Sequence, residues 1–419
     1  MQPSRPSPLS FNLRHLTAIA AVVSRGSVSS AASTLHLTQP AVTQAIARVE
    51  TLLEMQLFER RTDGMLPLPP AIALAARVEQ ALDLIGSRRV TMAQLRAFLA
   101  VADAGGYAAA AARTGLSQPT LHRAIGDLAL ILRRPLVERR GRGITLTEAG
   151  QRTARAFRLA RAELEAGFNE ALGDARSGPS RIIIGAMPLS RARVLPRALA
   201  LFNAQSPDVE IVIIEGSHSE LAESLRDGSI DLMVGALRDP PPGPDLVQRG
   251  MFKDGVIALA RAGHPVVLAN LSSEPGTIPP IEDLAKYPWI VPSPGAPLRD
   301  KFEAMFKSAG LEPPFVPIEC GSVMMIREIL MQTDFLTLLA PDQVSVERQA
   351  GWLVSLGEPA GDFNREIGIT TRAQWRPSPV QADFIAQLDR AAAEPFASAY
   401  DIRADQICAT VPDEAKATS

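Results

Sequence analysis

LTQPAVTQAI at residues 37–46 is nearly repeated as LSQPTLHRAI at residues 116–125. In each stretch a hydroxyl side chain, Thr38 or Ser117, stands where a helix N-cap is wanted, and a proline follows two residues later. Pro40 and Pro119 then fall in the first helical turn, where a missing N–H is harmless. A displacement of 79 positions extends the match without a gap to residues 13–71 and 92–150, with about eighteen identities. Self-similarity of this kind means one small folding unit written twice.

Each copy reads as three helices and a hairpin. Leu16, Ile19, Ala20 and Val23 recur at helical spacing and Gly26 closes that helix, as Gly105 does in the second copy. A short helix rich in Ala and Ser follows, Val28–Leu35 matching Tyr107–Thr114, whose small residues let helices approach closely. After the turn His36-Leu37, or Gly115-Leu116, the third helix begins. Two helices joined by a tight turn, the second opening with polar residues, is the helix-turn-helix plan, whose second helix enters the major groove. On that helix Gln39, Thr43, Gln44 and Arg48 face outward in copy one, and Gln118, Thr120, His122 and Arg123 in copy two; Pro40 and Pro119 complete the two candidate DNA-binding sets. Val42, Ile46 and Val49, like Leu121, Ile125 and Leu128, face the core. Gln matches adenine and Arg guanine bidentately, while Thr adds phosphate bonds or a methyl contact.

A polar helix face also suits plain solvation, so the segments that follow carry weight. LFERRTDGMLPL (57–68) and LVERRGRGITLT (136–147) each give an arginine pair, a Gly-containing turn and a short apolar strand. On such a basic wing Arg60, Arg61, Arg139, Arg140 and Arg142 suit phosphates, whose neutralisation makes affinity fall with salt.

The 419 residues suffice for two or three domains, and 46% hydrophobic with 21% charged residues is an ordinary soluble composition. The charge is divided. Residues 1–176 hold 22 Arg, no Lys and 14 Asp or Glu, a balance of +8, and the remainder carries −10. Such asymmetry suits a polyanion-binding part joined to one that must not bind polyanions. Cys320 and Cys408 are the only cysteines, too far apart for a metal spacing or a disulfide framework, which points to a reducing cytoplasm. LTAIAAVV at Leu16–Val23 imitates a secretory signal, but its counterpart Leu95–Ala102 lies mid-chain, so both are expected as core helices. No run approaches the ~18 apolar residues that cross a bilayer.

L-[ST]-Q-P, a further helix, then L-[FV]-E-R-R with a wing and LTEAG together resemble the LysR-type transcriptional regulators. The resemblance continues through a linker helix and a ligand-binding domain and covers nearly the whole chain. Duplication is the departure, because members ordinarily carry one winged helix-turn-helix. LTEAGQRTARAFRLARAELEAGFNEAL, Leu146 to Leu172, with Thr147 as cap and Phe157, Leu164 and Phe168 along it, resembles the family's long dimerising linker helix. In copy one the matching segment has prolines at 67, 69 and 70, and a shorter spacer helix, Ala71–Ile85, is expected. Gln44 replaces the family's usual arginine, whereas copy two keeps Arg123 but has His122 and Asp127.

After the break SGPS, Ser177–Ser180, strands alternate with helices, which implies an α/β domain. RIIIGA, VEIVIIEG and DLMVGAL are strands, with helices around Arg193–Gln205 and in SELAESLRDG. IDLMVGAL, LEPPFVPIECGS and REIGITTR resemble the family's periplasmic-binding-protein-like effector domain; DFLTLLAPDQV and REIGITTRAQWRPSP resemble the subgroup that includes regulators of sugar-uptake proteins. The resemblance implies a first lobe over Arg181–Ala260 plus the helix Pro379–Ala393, a second lobe between, and crossovers near Ala262–Pro265 and Ile369–Ala373. Loops that follow strands and open helices favour an anionic group. They nominate Leu189, Ser190, Ser217, His218, Ser293, Pro294 and Gly295 as effector-binding residues, with Ser322 and Thr337 added. Each serine would serve equally as an ordinary helix cap.

The expected architecture is multidomain: two all-α-rich winged helix-turn-helix domains plus a C-terminal two-lobed α/β domain. Boundaries are 11–87 (copy one with spacer), 90–150 (copy two), 147–176 (linker helix), 181–397 (effector domain) and 398–419 (tail). The expected function is a cytoplasmic transcriptional regulator that binds double-stranded DNA under control of a small carboxylate or sugar-like effector, as a homodimer or homotetramer, in contact with RNA polymerase. No metal, cofactor or catalytic residue is expected: Lys253, Lys286, Lys301, Lys307 and Lys416 are the only lysines, none in a Schiff-base context, and His264 precedes Pro265 in a structural strand-exit segment. The rivals are a DNA-binding domain fused to an enzyme, and a scaffold in which one winged domain contacts protein or serves as a spacer.

Overall fold

The computed structural model describes residues 8–61, 64–141, 143–173, 181–188, 190, 192–270 and 277–393. Arg142, Leu189, the break at 177–180 and the expected tail lie outside them. Copy one forms α1 (Leu13–Arg25), α2 (Val28–Leu35), α3 (Gln39–Leu53) and a hairpin of β1 (Phe58–Arg61) and β2 (Gly64–Pro67). The chain continues into α4 (Pro69–Ile85). Copy two repeats the series as α5 (Met92–Ala104), α6 (Tyr107–Thr114), α7 (Gln118–Leu132), β3 (Val137–Arg140), β4 (Gly143–Leu146) and α8 (Glu148–Leu172).

The local chemistry explains the breaks. Gly26 and Gly105 end their helices in the left-handed region at φ 73° and 70°. Between α2 and α3 the same left-handed turn is taken by His36 at φ 54°, and by Gly115 at φ 70° in copy two. Thr38 and Ser117 cap α3 and α7, each accepting the N–H three residues on.

The spacer expectation needs correction. α4 starts at Pro69, since two prolines in a first turn remove only N–H groups that have no intrahelical partner. It is also not a detached spacer: α4 and α8 form the most extensively packed helix pair among the described residues. A Cβ placed on Gly167 of α8 would lie 2.8 Å from Arg77 Cβ and 3.3 Å from Leu74 Cδ1. Further along, Gln80 and Leu84 of α4 share a cavity wall with Leu159 and Arg155. Rising numbers on one helix meet falling numbers on the other, so the pair is antiparallel. Through it, both copies share one continuous core, in which Phe98 meets Phe157 edge-on and Phe11 lies 4.5 Å from Phe168, centroid to centroid.

The rear half comprises β5 (Arg181–Ala186), α9 (Val194–Gln205), β6 (Glu210–Glu215), α10 (His218–Arg226), β7 (Leu232–Ala236), β8 (Leu246–Asp254), β9 (Ile257–Arg261), α11 (Pro265–Ala269), α12 (Ile281–Leu284) and β10 (Ile290–Val291). It continues with α13 (Pro297–Ser308), β11 (Ile318–Glu319), α14 (Val323–Gln332), β12 (Thr337–Leu339), α15 (Ser345–Gln349), β13 (Leu353–Gly357), β14 (Arg365–Arg372) and α16 (Pro379–Ala393). A five-stranded sheet has the order β6-β5-β7-β14-β8, with β5 parallel to both neighbours and β14 antiparallel to both of its own. A second sheet, β12-β9-β13, is antiparallel, and a parallel pair β10-β11 is joined to it by a bridge between Trp289 and Leu336. Each sheet has its own core, one around Phe202 and Phe384, the other around Trp289, Phe302 and Phe306.

The chain passes between the sheets earlier than expected. β9 belongs to the second sheet, so the first passage is at Gly255-Val256 and the return lies between β13 and β14. Ala262–Pro265 instead turns into α11, where buried His264 accepts the Val266 N–H, and Ile369 lies inside β14. An apolar run such as IALA signals a buried strand without saying which sheet buries it.

Candidate DNA-reading faces and effector cleft

In copy one the outward face of α3 carries Gln39, Pro40, Gln44 and Arg48, all exposed, with Thr43 half-buried. Thr43 donates its hydroxyl to the Gln39 carbonyl at 3.1 Å, and the Gln39 amide reaches Ser29 on α2 at 3.3 Å. Glu50 fixes the hairpin to α3, its carboxylate accepting the Leu57 and Phe58 N–H groups at 2.8 and 3.1 Å. In copy two Gln118, Pro119, Thr120, His122 and Arg123 are all exposed on α7. The wing there is fixed differently: Thr147 donates its hydroxyl to the Pro135 carbonyl at 2.7 Å and accepts the Gly150 N–H.

Sequence reasoning missed Tyr107, whose ring lies 5.4 Å from that of His122 and which lines a shallow hollow with Gln118, Pro119 and His122. Its signal was an aromatic residue where copy one has Val28. On the wings Arg60, Arg139 and Arg140 are exposed near the hairpin tips, while Arg61 is drawn to Glu59 at 3.0 Å, which partly neutralises it.

A cavity of about 580 Å³ lies where the two sheets of the rear half face each other. Its walls include Pro188 and Ala192 after β5, Glu215 at the end of β6, Ser322, Met324 and Arg327 at the start of α14, and Asp342, Gln343, Ser345 and Glu347 beyond β12. Arg327 pairs with buried Glu347, and Asp342 with Arg193 at 2.7 Å. Arg327 Nε and Glu347 Oε2 are buried without a hydrogen-bond partner among the described residues. Ser322, the N-cap residue of α14, makes no side-chain capping bond, so the first-turn N–H groups there are uncapped by it.

Of the residues nominated from sequence, Ser322 lines this cavity and the other described ones do not. Ser190 is fully buried and donates to the Met187 carbonyl at 2.9 Å. Thr337 is buried and donates to the Ile290 carbonyl at 2.6 Å, a bond that ties β12 to β10. Ser217 caps α10 in a reciprocal pair with Glu220, and Ser293, Pro294 and Gly295 are exposed ahead of α13. His218 is half-buried; burial, then Arg238 and Arg226, hold its pKa below the ordinary value. Arg327 was the missed signal, a lone guanidinium inside the apolar helix VMMIREILMQ.

Among the described residues no helix is long and apolar enough to cross a membrane, and no cluster of three His, Cys, Asp or Glu could hold a metal ion. A family model described as "Bacterial regulatory helix-turn-helix protein, lysR family" matches residues 13–71 and again 92–151. The LysR substrate binding domain model matches residues 175–393. The transcriptional regulator GalR of Pseudomonas putida is 30% identical over 390 residues, covering 90% of this chain and 96% of that protein. That share is too large to fit within residues 92–419, so the likeness extends into copy one. PcaQ of Agrobacterium fabrum is 28% identical over 313 residues, 74% of this chain and 97% of its own. In fold, a full-length OxyR variant from Pseudomonas aeruginosa is similar with a TM-score of 0.52 at 21% identity, over 72% of this chain and 97% of that one. Matched twice at its front and once across its rear half, the chain belongs to the LysR family of DNA-binding transcriptional regulators with a substrate-binding domain.

Proposed function

We propose that residues 11–87 and 90–150 are two winged helix-turn-helix domains that both read DNA, and that a small effector bound between the two rear lobes controls them. The observation that carries this reading is the pair of matched helices, α3 and α7, each capped by a hydroxyl and each presenting an exposed polar face beside a basic hairpin. Gln39, Pro40, Thr43, Gln44 and Arg48, with Gln118, Pro119, Thr120, His122 and Arg123, supply base contacts; Arg60, Arg61, Arg139, Arg140 and Arg142 supply phosphate contacts.

The rear domain, residues 181–397, is of the periplasmic-binding-protein kind, and its effector occupies the 580 Å³ cavity. The uncapped start of α14 and the guanidinium of Arg327 favour a carboxylate or a similarly polar oxygen-rich group, while Met324 offers an apolar contact. Binding there shifts the lobes only by as much as the effector prefers one arrangement over the other. The protein acts in the cytoplasm as a homodimer or homotetramer and meets RNA polymerase at its promoters.

A mobility shift on the DNA upstream of the protein's own gene tests the reading. A sequence-preferring complex that weakens as salt rises is expected; a complex indifferent to sequence, or none, overturns it.

A further inference from the structure

We propose that a single chain carries the reading heads for both halves of a paired DNA site, and that the two halves it reads are unlike. The proposal rests on the reading above, that both copies bind DNA.

Its basis is the way the copies are joined. Leu74 and Arg77 of α4 meet Gly167 and Glu163 of α8, and Gln80 and Leu84 share a cavity wall with Arg155, Leu159 and Glu163. Moved by the repeat length of 79, Gln80 and Leu84 become Leu159 and Glu163, which lie on the contacting face of α8. Equivalent faces of equivalent helices therefore meet, and they meet antiparallel. Two like units joined through the same face in that sense are related by an approximate two-fold, the arrangement that ordinarily takes two chains. Here one chain supplies both units, inside one continuous core.

The contact is also specific for unlike copies. Arg77 is almost fully buried and is held by Glu163 at 2.8 Å, by Glu170, and by the Arg376 carbonyl at 2.9 Å. Its counterpart in copy two is Ala156, and the counterpart of Glu163 is Leu84. Two α8 helices brought together the same way would bury Glu163 carboxylates with no guanidinium between them, and two α4 helices would bury Arg77 with no carboxylate. Either leaves uncompensated buried charge, whereas the α4-α8 pair satisfies it. The linker-helix face of α8 that a second chain would need is thus occupied from within.

A two-fold arrangement of reading helices calls for inverted half-sites. The reading residues differ between copies, however: Thr43, Gln44 and Arg48 stand where copy two has His122, Arg123 and Asp127. One half is read with an amide and an arginine a turn apart, the other with adjacent His and Arg, so the site has a direction and the chain binds it one way round.

The test is selection of preferred duplexes from a random-sequence pool by the full-length protein and by variants of each copy. The expected motif has two unlike inverted halves. Gln44→Ala with Arg48→Ala should change preference in one half alone, and Arg123→Ala in the other alone, each costing about 5- to 150-fold on the affected half. All three side chains are exposed, so folding is not at stake. A motif of two identical halves, both lost with Arg123→Ala and untouched by the copy-one changes, overturns the proposal while leaving the regulator reading intact. Failure to recover any preferred motif overturns both.

Discussion

Arg77 shows how much can depend on one side chain of a helix that the sequence presented as a spacer. Its guanidinium is sealed between Glu163 and Glu170 and also binds backbone of the rear half, so it links three parts of the molecule. Truncation would leave buried carboxylates without a partner, a change that typically costs about 3–5 kcal/mol. Arg77→Ala should therefore lower the denaturation midpoint sharply, and a loss below ~1 kcal/mol would show that the pair is solvated. Gly167 faces the same residue. A Cβ there would come within 2.8 Å of Arg77 Cβ, so Gly167→Ala should destabilise even though alanine favours helices. His264 offers a pH test. Its Nδ1 accepts the Val266 N–H at 3.0 Å and its Nε2 faces the Asp334 carbonyl at 3.0 Å, a pattern that needs the neutral ring. Burial first, opposed by Asp334, holds its pKa below 6.5. As pH falls below 6.5 the unfolded chain takes up this proton before the folded one does, so its stabilising contribution fades in acid. His264→Asn keeps a capping oxygen and should lessen the loss of stability between about pH 7.5 and 5.5, measured by urea unfolding. Equal losses in variant and parent would exclude His264 as a cause.

At the scale of elements, the roles proposed for the two hairpins and for the start of α14 can be tested apart. Arg140 is exposed beside the tip of its hairpin, whereas Arg123 is exposed on α7. Arg140→Ala should weaken binding to all sequences alike and reduce the salt slope by about one, while Arg123→Ala should alter preference. Titration of both variants over a salt series separates the two behaviours. In the rear half, Arg327 carries a buried nitrogen with no partner among the described residues, beside a helix start without a side-chain cap. Arg327→Met keeps much of the side chain's length and should reduce affinity for a carboxylate effector about tenfold or more, as loss of a charged hydrogen bond does. Calorimetry with small carboxylates and sugars reads that effect. An effector bound equally well by the variant would move the site elsewhere. The wings were legible in the sequence because ERR and a glycine turn are local signals. The cleft was less so: serines after strands proved to be caps or buried bonds at Ser190 and Ser217, since a hydroxyl is satisfied as readily by its own backbone as by a ligand.

For the whole molecule, the division of charge recorded in composition becomes spatial. Six arginines of the basic front, Arg48, Arg60, Arg61, Arg123, Arg139 and Arg140, lie on α3, α7 and the two hairpins, and in the acidic rear a cavity lies between the sheets. By itself the sequence determined the duplicated unit, its helices and their caps, the basic hairpins and the change to an α/β pattern at the rear. These follow from spacing, capping chemistry and turn residues, which act over a few positions along the chain. Only tertiary structure decided that α4 lies antiparallel on α8, that β9 joins the second sheet, and that Arg327 and Glu347 meet at the cleft. Each depends on which distant apolar face covers another, or on a charge finding its partner across many residues, and neither leaves a periodic mark in the sequence.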